Sequence, residues 1–161
     1  MTFQLNRLIA AAFCALAINA GFAADMTPAS PTPAAAEKLG AARALISEKK
    51  WAAAIDELKR VNDSGNADWN NLMGYSHRKA RTPDLAAAER YYGEALRIDP
   101  KHRGALEYSG ELFLQLGDLA RAEQRLATLD KVCFLPCEEF TELKKAIASF
   151  KANGNKVVAT N

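Results

Sequence analysis

Leu119-Ala120-Arg121-Ala122-Glu123-Gln124-Arg125-Leu126-Ala127-Thr128-Leu129 places Leu119, Ala122, Leu126 and Leu129 at spacings of three, four and three residues. On an α-helix these intervals return to one face, so the stretch reads as an amphipathic helix with a narrow apolar seam. The same pattern stands 34 residues earlier as Leu85, Ala88, Tyr92 and Ala95, and 34 before that as Trp51, Ala54, Leu58 and Val61. A shared period of this length marks a stacked helical repeat, in which no unit buries its apolar face alone and each leans on its neighbours. Such a stack offers a binding surface rather than a reaction centre.

From Glu37 onward the apolar pattern is helical throughout, and no segment alternates with a two-residue period, which argues against strands. Between the three runs lie a second set of helices, expected at roughly 35–48, 68–81 and 102–116. Asn62-Asp63-Ser64-Gly65-Asn66, Asp99-Pro100 and Gly117-Asp118 supply turn chemistry where the repeat needs it. Small residues fall where paired helices must cross closely: Ala42 with Ala54, Gly74 with Ala88, Gly110 with Ala122.

Gly110, Phe113, Gly117-Asp118-Leu119, Ala122 and Leu126 resemble the tetratricopeptide repeat family. So do Gly74, Leu85, Ala88, Tyr92, Ala95-Leu96 and the closing Asp99-Pro100. The resemblance covers 35–131. The first repeat departs from it, with Ala42 where the family prefers glycine and no closing proline. It implies an all-α fold: a right-handed helical-hairpin solenoid of about three repeats (35–66, 67–100 and 102–132) with a C-terminal capping helix over 136–153, making one domain over 35–153. Gly74 lies 36 residues before Gly110, which reads as a loop around Arg81-Thr82-Pro83 lengthened by two. The other register would bury Lys79 without a partner, which is costly. In the capping helix Phe140, Leu143, Ile147 and Phe150 form one stripe, acidic Glu138, Glu139 and Glu142 come early and Lys144, Lys145 and Lys151 late, as the helix dipole favours. Pro136 opens this helix and Asn153-Gly154 closes it.

The first residues read differently. Arg7 precedes an apolar run, Leu8 to Ile18, and a small-residue segment, Asn19-Ala20-Gly21-Phe22-Ala23-Ala24. This is the pattern of a secretory signal peptide over 1–23, with cleavage after Ala23 favoured because Gly21 and Ala23 are both small. Cys14 goes with the signal, since Phe13 before it is too bulky for a lipoprotein signal. Residues 24–36, rich in Pro, Ala and Thr, read as a disordered leader, and 154–161 as a flexible tail. The expected location is outside the cytoplasm, in the periplasm of a Gram-negative host. The apolar run is far shorter than the roughly 20 residues a membrane-spanning helix needs, and no later segment is longer; the mature chain is not expected to insert stably in a membrane. With 21 basic and 19 acidic residues the chain has no cationic excess, which disfavours nucleic acid as a partner.

Cys133-Phe134-Leu135-Pro136-Cys137 is the only other constellation with chemistry. In an oxidising compartment an even pair favours a disulfide, with Pro136 breaking the turn so that the two can meet. A redox-active pair is the alternative, since Cys137 opens a helix. Against it stand a spacing wider than the two-residue gap of thioredoxin-like sites and the neighbouring Glu138 and Glu139. His77 and His102 lack the paired spacing of zinc ligands and read as surface residues. No phosphate loop, paired-histidine metal motif or nucleophile elbow occurs, so neither an enzyme nor a cofactor is expected. Tyr91, Tyr92, Tyr108, Phe113 and Phe140 have core spacings.

The repeat positions that usually face the inner groove of the family carry Arg43 in the first unit, Asn71, Tyr75, Arg78 and Lys79 in the second, and Glu107, Glu111 and Gln115 in the third. Asn71, Tyr75 and Arg78 on successive turns suit a peptide backbone and an acidic group; an ordinary polar helix face is the competing reading. The lysine and asparagine pattern that clamps a terminal carboxylate in some members is absent. The expected function is a non-catalytic exported adaptor that docks a peptide or partner helix. A thiol-disulfide component using Cys133 and Cys137, and a subunit that assembles with copies of itself, are the alternatives.

Overall fold

A computed structural model describes residues 38–156. The signal peptide, the leader and residues 157–161 of the tail lie outside them. The described residues form α1 (Gly40–Ser47), α2 (Trp51–Val61), α3 (Ala67–Lys79), α4 (Leu85–Ile98), α5 (Arg103–Gln115), α6 (Leu119–Val132) and α7 (Glu138–Ala152), with no strand among them. None of these helices is long and apolar enough to cross a membrane.

Local chemistry sets the ends. Asn66, Asp84 and Asp118 cap α3, α4 and α6, their side chains accepting from the backbone N–H of Trp69, Ala87 and Arg121. After α5 the chain turns through Gly117 at φ +77°, with Gly117 N donating to Leu114 O and Asp118 N to Phe113 O. This pair of bonds satisfies two carbonyls that the helix end would leave open. The same motif follows α1 around Lys49 (φ 57°) and α7 around Gly154 (φ 67°). Helix α3 stops at Lys79, two residues before the expected end, and the longer loop that follows is closed by Asp84 N donating to His77 O at 3.1 Å. Pro136 stands two residues before Glu138, the first residue of α7, whose N-cap is Cys137.

The helices pair in sequence as α1 with α2, α3 with α4 and α5 with α6, and each pair also packs on the next. Helices α1, α3, α5 and α7 form one layer, with α2, α4 and α6 behind them. The repeating anchors hold this stack together. Ala54, Ala88 and Ala122 are fully buried, as are Leu58, Tyr92, Ala95 and Leu129, while the leading Trp51, Leu85 and Leu119 are half-buried. Leu143, Ile147 and Phe150 of α7 close the seam against Leu106, Phe113 and Leu114.

Two glycines allow the closest approaches. A Cβ on Gly74 would stand 2.8 Å from ring carbons of Tyr92 in α4, so only a hydrogen fits between α3 and that ring. The sequence suggests that Gly110 serves the crossing with Ala122. Its open side is filled by Leu143, whose Cδ2 would lie 2.6 Å from an added Cβ. The glycine therefore admits the capping helix, because α7 takes the place that a fourth repeat would occupy.

Between α6 and α7 the sulfurs of Cys133 and Cys137 are at disulfide distance, with a Cα–Cα separation of 5.8 Å. The short loop between them holds Phe134 100% exposed and Leu135 also largely exposed.

Replacing Gly74 with Ala should lower stability by about 1–3 kcal/mol, because a ring with no room to retreat must be displaced. Gly93→Ala, on the open side of α4 with nothing within 4 Å, should raise it by about 0.5–1 kcal/mol. Chemical denaturation of the two variants beside the wild type checks both signs.

Candidate functional site

The layer formed by α1, α3, α5 and α7 carries charged and aromatic side chains in ladders that run from repeat to repeat. Arg43 of α1 donates to Asp68 Oδ2 of α3 at 3.1 Å, and His102 Nε2, just before α5, contacts Asp68 Oδ1 at 2.9 Å. The His102 bond, opposed by burial and helped by Arg43, holds the Asp68 carboxyl below the usual carboxylate range. His102 is thus not a surface residue as expected. Its Nδ1 accepts from Ala105 N and caps α5.

Further along, Arg78 Nη2 donates to Glu111 Oε2 at 2.6 Å, joining α3 to α5. The Arg78 side chain is only 3% exposed, and its guanidinium lies 5.7 Å from the Tyr75 ring centroid and 5.8 Å from that of Tyr108. Burial works against its charge, but Tyr92 and Glu111 outweigh it and hold Arg78 above its ordinary value. The expectation that Arg78 offers a free guanidinium to an acidic ligand is therefore corrected: the repeat stack itself consumes that charge. The rings of Tyr75 and Tyr108 meet at 4.7 Å and Trp51 adds an edge contact to Tyr75 at 5.8 Å.

The eight expected groove residues divide into three groups. Arg78, Lys79, Glu111 and Gln115 meet in one depression of about 330 Å³ between α3, α5 and α7, floored by Leu114, Ala146 and Phe150 and edged by Glu142 and Lys145. Asn71, Tyr75 and Glu107 sit on the same two helices toward their N-terminal ends. Arg43 stands apart, tied to Asp68. Sequence reading missed Asp68, His102, Tyr108 and the α7 residues. The 34-residue interval from Asp68 to His102 was the available signal: side chains one period apart meet across the stack.

Three polar atoms of α3 are buried without a hydrogen-bond partner among the described residues: Asn71 Oδ1, Ser76 Oγ and Arg78 Nε. Asn71 is 7% exposed and its Oδ1 accepts no hydrogen bond. Its Nδ2 faces α5, 3.1 Å from where a Cβ on Gly104 would stand. Glu107, one turn further along α5, is 8% exposed. Burial, reinforced by Glu111, Glu139 and Glu138 and only partly offset by Arg78, pushes its carboxyl up to about 8. It is largely protonated at neutral pH. The same setting raises Tyr108 to about 12, chiefly by burial and then by Glu107.

A family profile described as Tetratricopeptide repeat matches residues 84–132, which span α4, α5 and α6. Residues 84–132 carry a tetratricopeptide repeat. The chain's repeat fold is similar to a solved structure of the type III secretion chaperone SycD of Yersinia enterocolitica, in complex with a peptide of the translocator YopD. The TM-score is 0.59 and the identity 19%, and the match covers 73% of this chain and 88% of that one. At this identity the likeness is one of fold. No curated protein sequence matches the chain. Among the described residues no group of three or more His, Cys, Asp or Glu side chains could hold a metal ion.

Replacing Glu107 with Gln should flatten the pH dependence of stability. A carboxyl whose pKa is raised by folding contributes stability that is whole below its unfolded value, near 4.5, and is lost as pH climbs through about 8. The wild type should therefore lose stability between pH 5 and pH 8 relative to the variant. Thermal melts across that range check the crossing of the two curves.

Proposed function

We propose that this protein is an exported, non-catalytic adaptor that docks an extended peptide or a partner helix on the layer formed by α1, α3, α5 and α7. The observation that carries the reading is the pairing state of this layer. Arg43, Asp68 and His102 are tied together across repeats, as are Arg78 and Glu111, whereas Asn71 Oδ1 is buried with no partner among the described residues and Glu107 is 8% exposed. Buried polar groups are normally satisfied, so an unpaired buried amide on the layer that carries the open depression and the aromatic wall reads as binding capacity held for something else. The repeat family and the similarity to a chaperone solved with a peptide support a protein or peptide partner.

Export rests on the signal-like residues 1–23 and is in keeping with a cysteine pair at disulfide distance. We read that pair as a staple rather than a redox centre. Closing so short a loop contributes about 2 kcal/mol and fixes α7, whose Leu143, Ile147 and Phe150 seal the last repeat.

Site-specific photocrosslinking in the native host tests the docking layer. A photoreactive residue at Lys79 or Gln115, both exposed at the rim of the depression, should give discrete partner adducts, and one at Lys59 on the outer helix α2 should give none. Equal adducts from all three positions would contradict the proposal.

A further inference from the structure

Charge on the docking layer is not balanced where α5 meets α7. Glu111 is neutralised by Arg78 and Glu139 by Arg103, at 3.6 Å. Glu107 and Glu138 have no cation of their own in this region among the described residues. The groups that face Glu107 are Glu111 and Tyr108 on its own helix, Arg78 and Tyr75 from α3, and Glu138 and Glu139 from α7. The one cation among them, Arg78, is buried and already spent.

Asn71, more than nine-tenths buried, lies with its Nδ2 against α5 at Gly104, one turn before Glu107, and its acceptor oxygen is satisfied by nothing among the described residues. The tyrosine pair at 4.7 Å adds an electron-rich wall. An unused amide oxygen, an uncompensated carboxyl and aromatic rings are together the acceptors that a cationic side chain requires.

We propose that the docked segment is an extended basic peptide, and that one of its lysine or arginine side chains enters between Glu107 and Asn71 toward Glu138. This rests on the docking layer proposed above and adds to it the chemistry of the occupant. It also couples binding to pH. In the free protein the Glu107 carboxyl keeps its proton through neutral pH. When an ammonium or guanidinium seats beside it, the Glu107 O–H bond breaks, the proton passes to the buffer, and the carboxylate pairs with the ligand's charge. Affinity therefore climbs as pH rises toward 8, by up to about tenfold per unit. Above that it levels off.

The test is a library of randomised decapeptides, screened against purified protein, followed by calorimetry of the best binder at pH 6, 7 and 8. Lysine or arginine should be enriched at one register. Calorimetry at pH 7 in phosphate and in Tris should show the release of about one proton per peptide. Norleucine in place of the selected basic residue should weaken binding about tenfold or more. Glu107→Gln should abolish both the enrichment and the proton release while peptides still bind. Glu138→Gln, an exposed change at the first turn of α7, should reduce the enrichment without touching the core. Peptides selected without a basic preference, or acidic peptides, would overturn this inference and leave the docking layer standing. A library from which nothing binds would overturn both.

Discussion

The hydrogen in place of a side chain at Gly74 is the constraint on which the central repeat depends. It lets the Tyr92 ring lie against the backbone of α3, where a methyl group would come within 2.8 Å of it. With Tyr92 fully buried there, its phenol reaches the interior beside Arg78, and burial outweighs that guanidinium to push the phenol's pKa upward. Arg78 in turn is drawn out of solvent and needs a carboxylate, which Glu111 supplies from the next repeat. A buried charge is stable only when paired in this way. The consequence reaches the surface: since Glu111 is spent on Arg78, Glu107 is left as the uncompensated carboxyl.

The same logic of one residue committing the next explains the C-terminal end. Gly110 leaves space on α5, Leu143 of α7 fills it, and Ile147 and Phe150 follow along the seam. A repeat array with an open end would expose that apolar edge to water, and a terminal unit of different sequence covers it. The cysteine pair holds the connecting loop short, and Phe134 and Leu135 project from it because a closed loop this small has no interior in which to hide them.

Much of the fold was legible because burial repeats at a fixed interval. Ala54, Ala88 and Ala122 could be placed at the crossings from spacing alone, and Asn66, Asp84 and Asp118 announce the helix starts that they cap. The site was less legible. A single helix wheel sets Arg78 on the inner face, but whether that face meets water or a neighbouring carboxylate depends on how adjacent repeats are rotated against each other. That rotation is fixed by tertiary packing, not by any interval within one helix. Gly110 was legible only in part: its spacing from Ala122 fits the repeat, while the side chain that meets its open side lies 33 residues on, in a helix outside the repeat pattern. His102 was misplaced because capping by an imidazole nitrogen carries a weaker sequence signal than capping by Asp or Asn.

Stacked pairs joined only to their neighbours should lose structure locally when one junction is weakened, and this distinguishes a repeat array from a single cooperative globule. Native-state hydrogen exchange of Leu143→Ala against the wild type measures it most directly. The account predicts that amide protection falls in α5, α6 and α7 while α2 and α3 keep theirs. A uniform fall across all the helices, or protection in α5 that does not change, would contradict it.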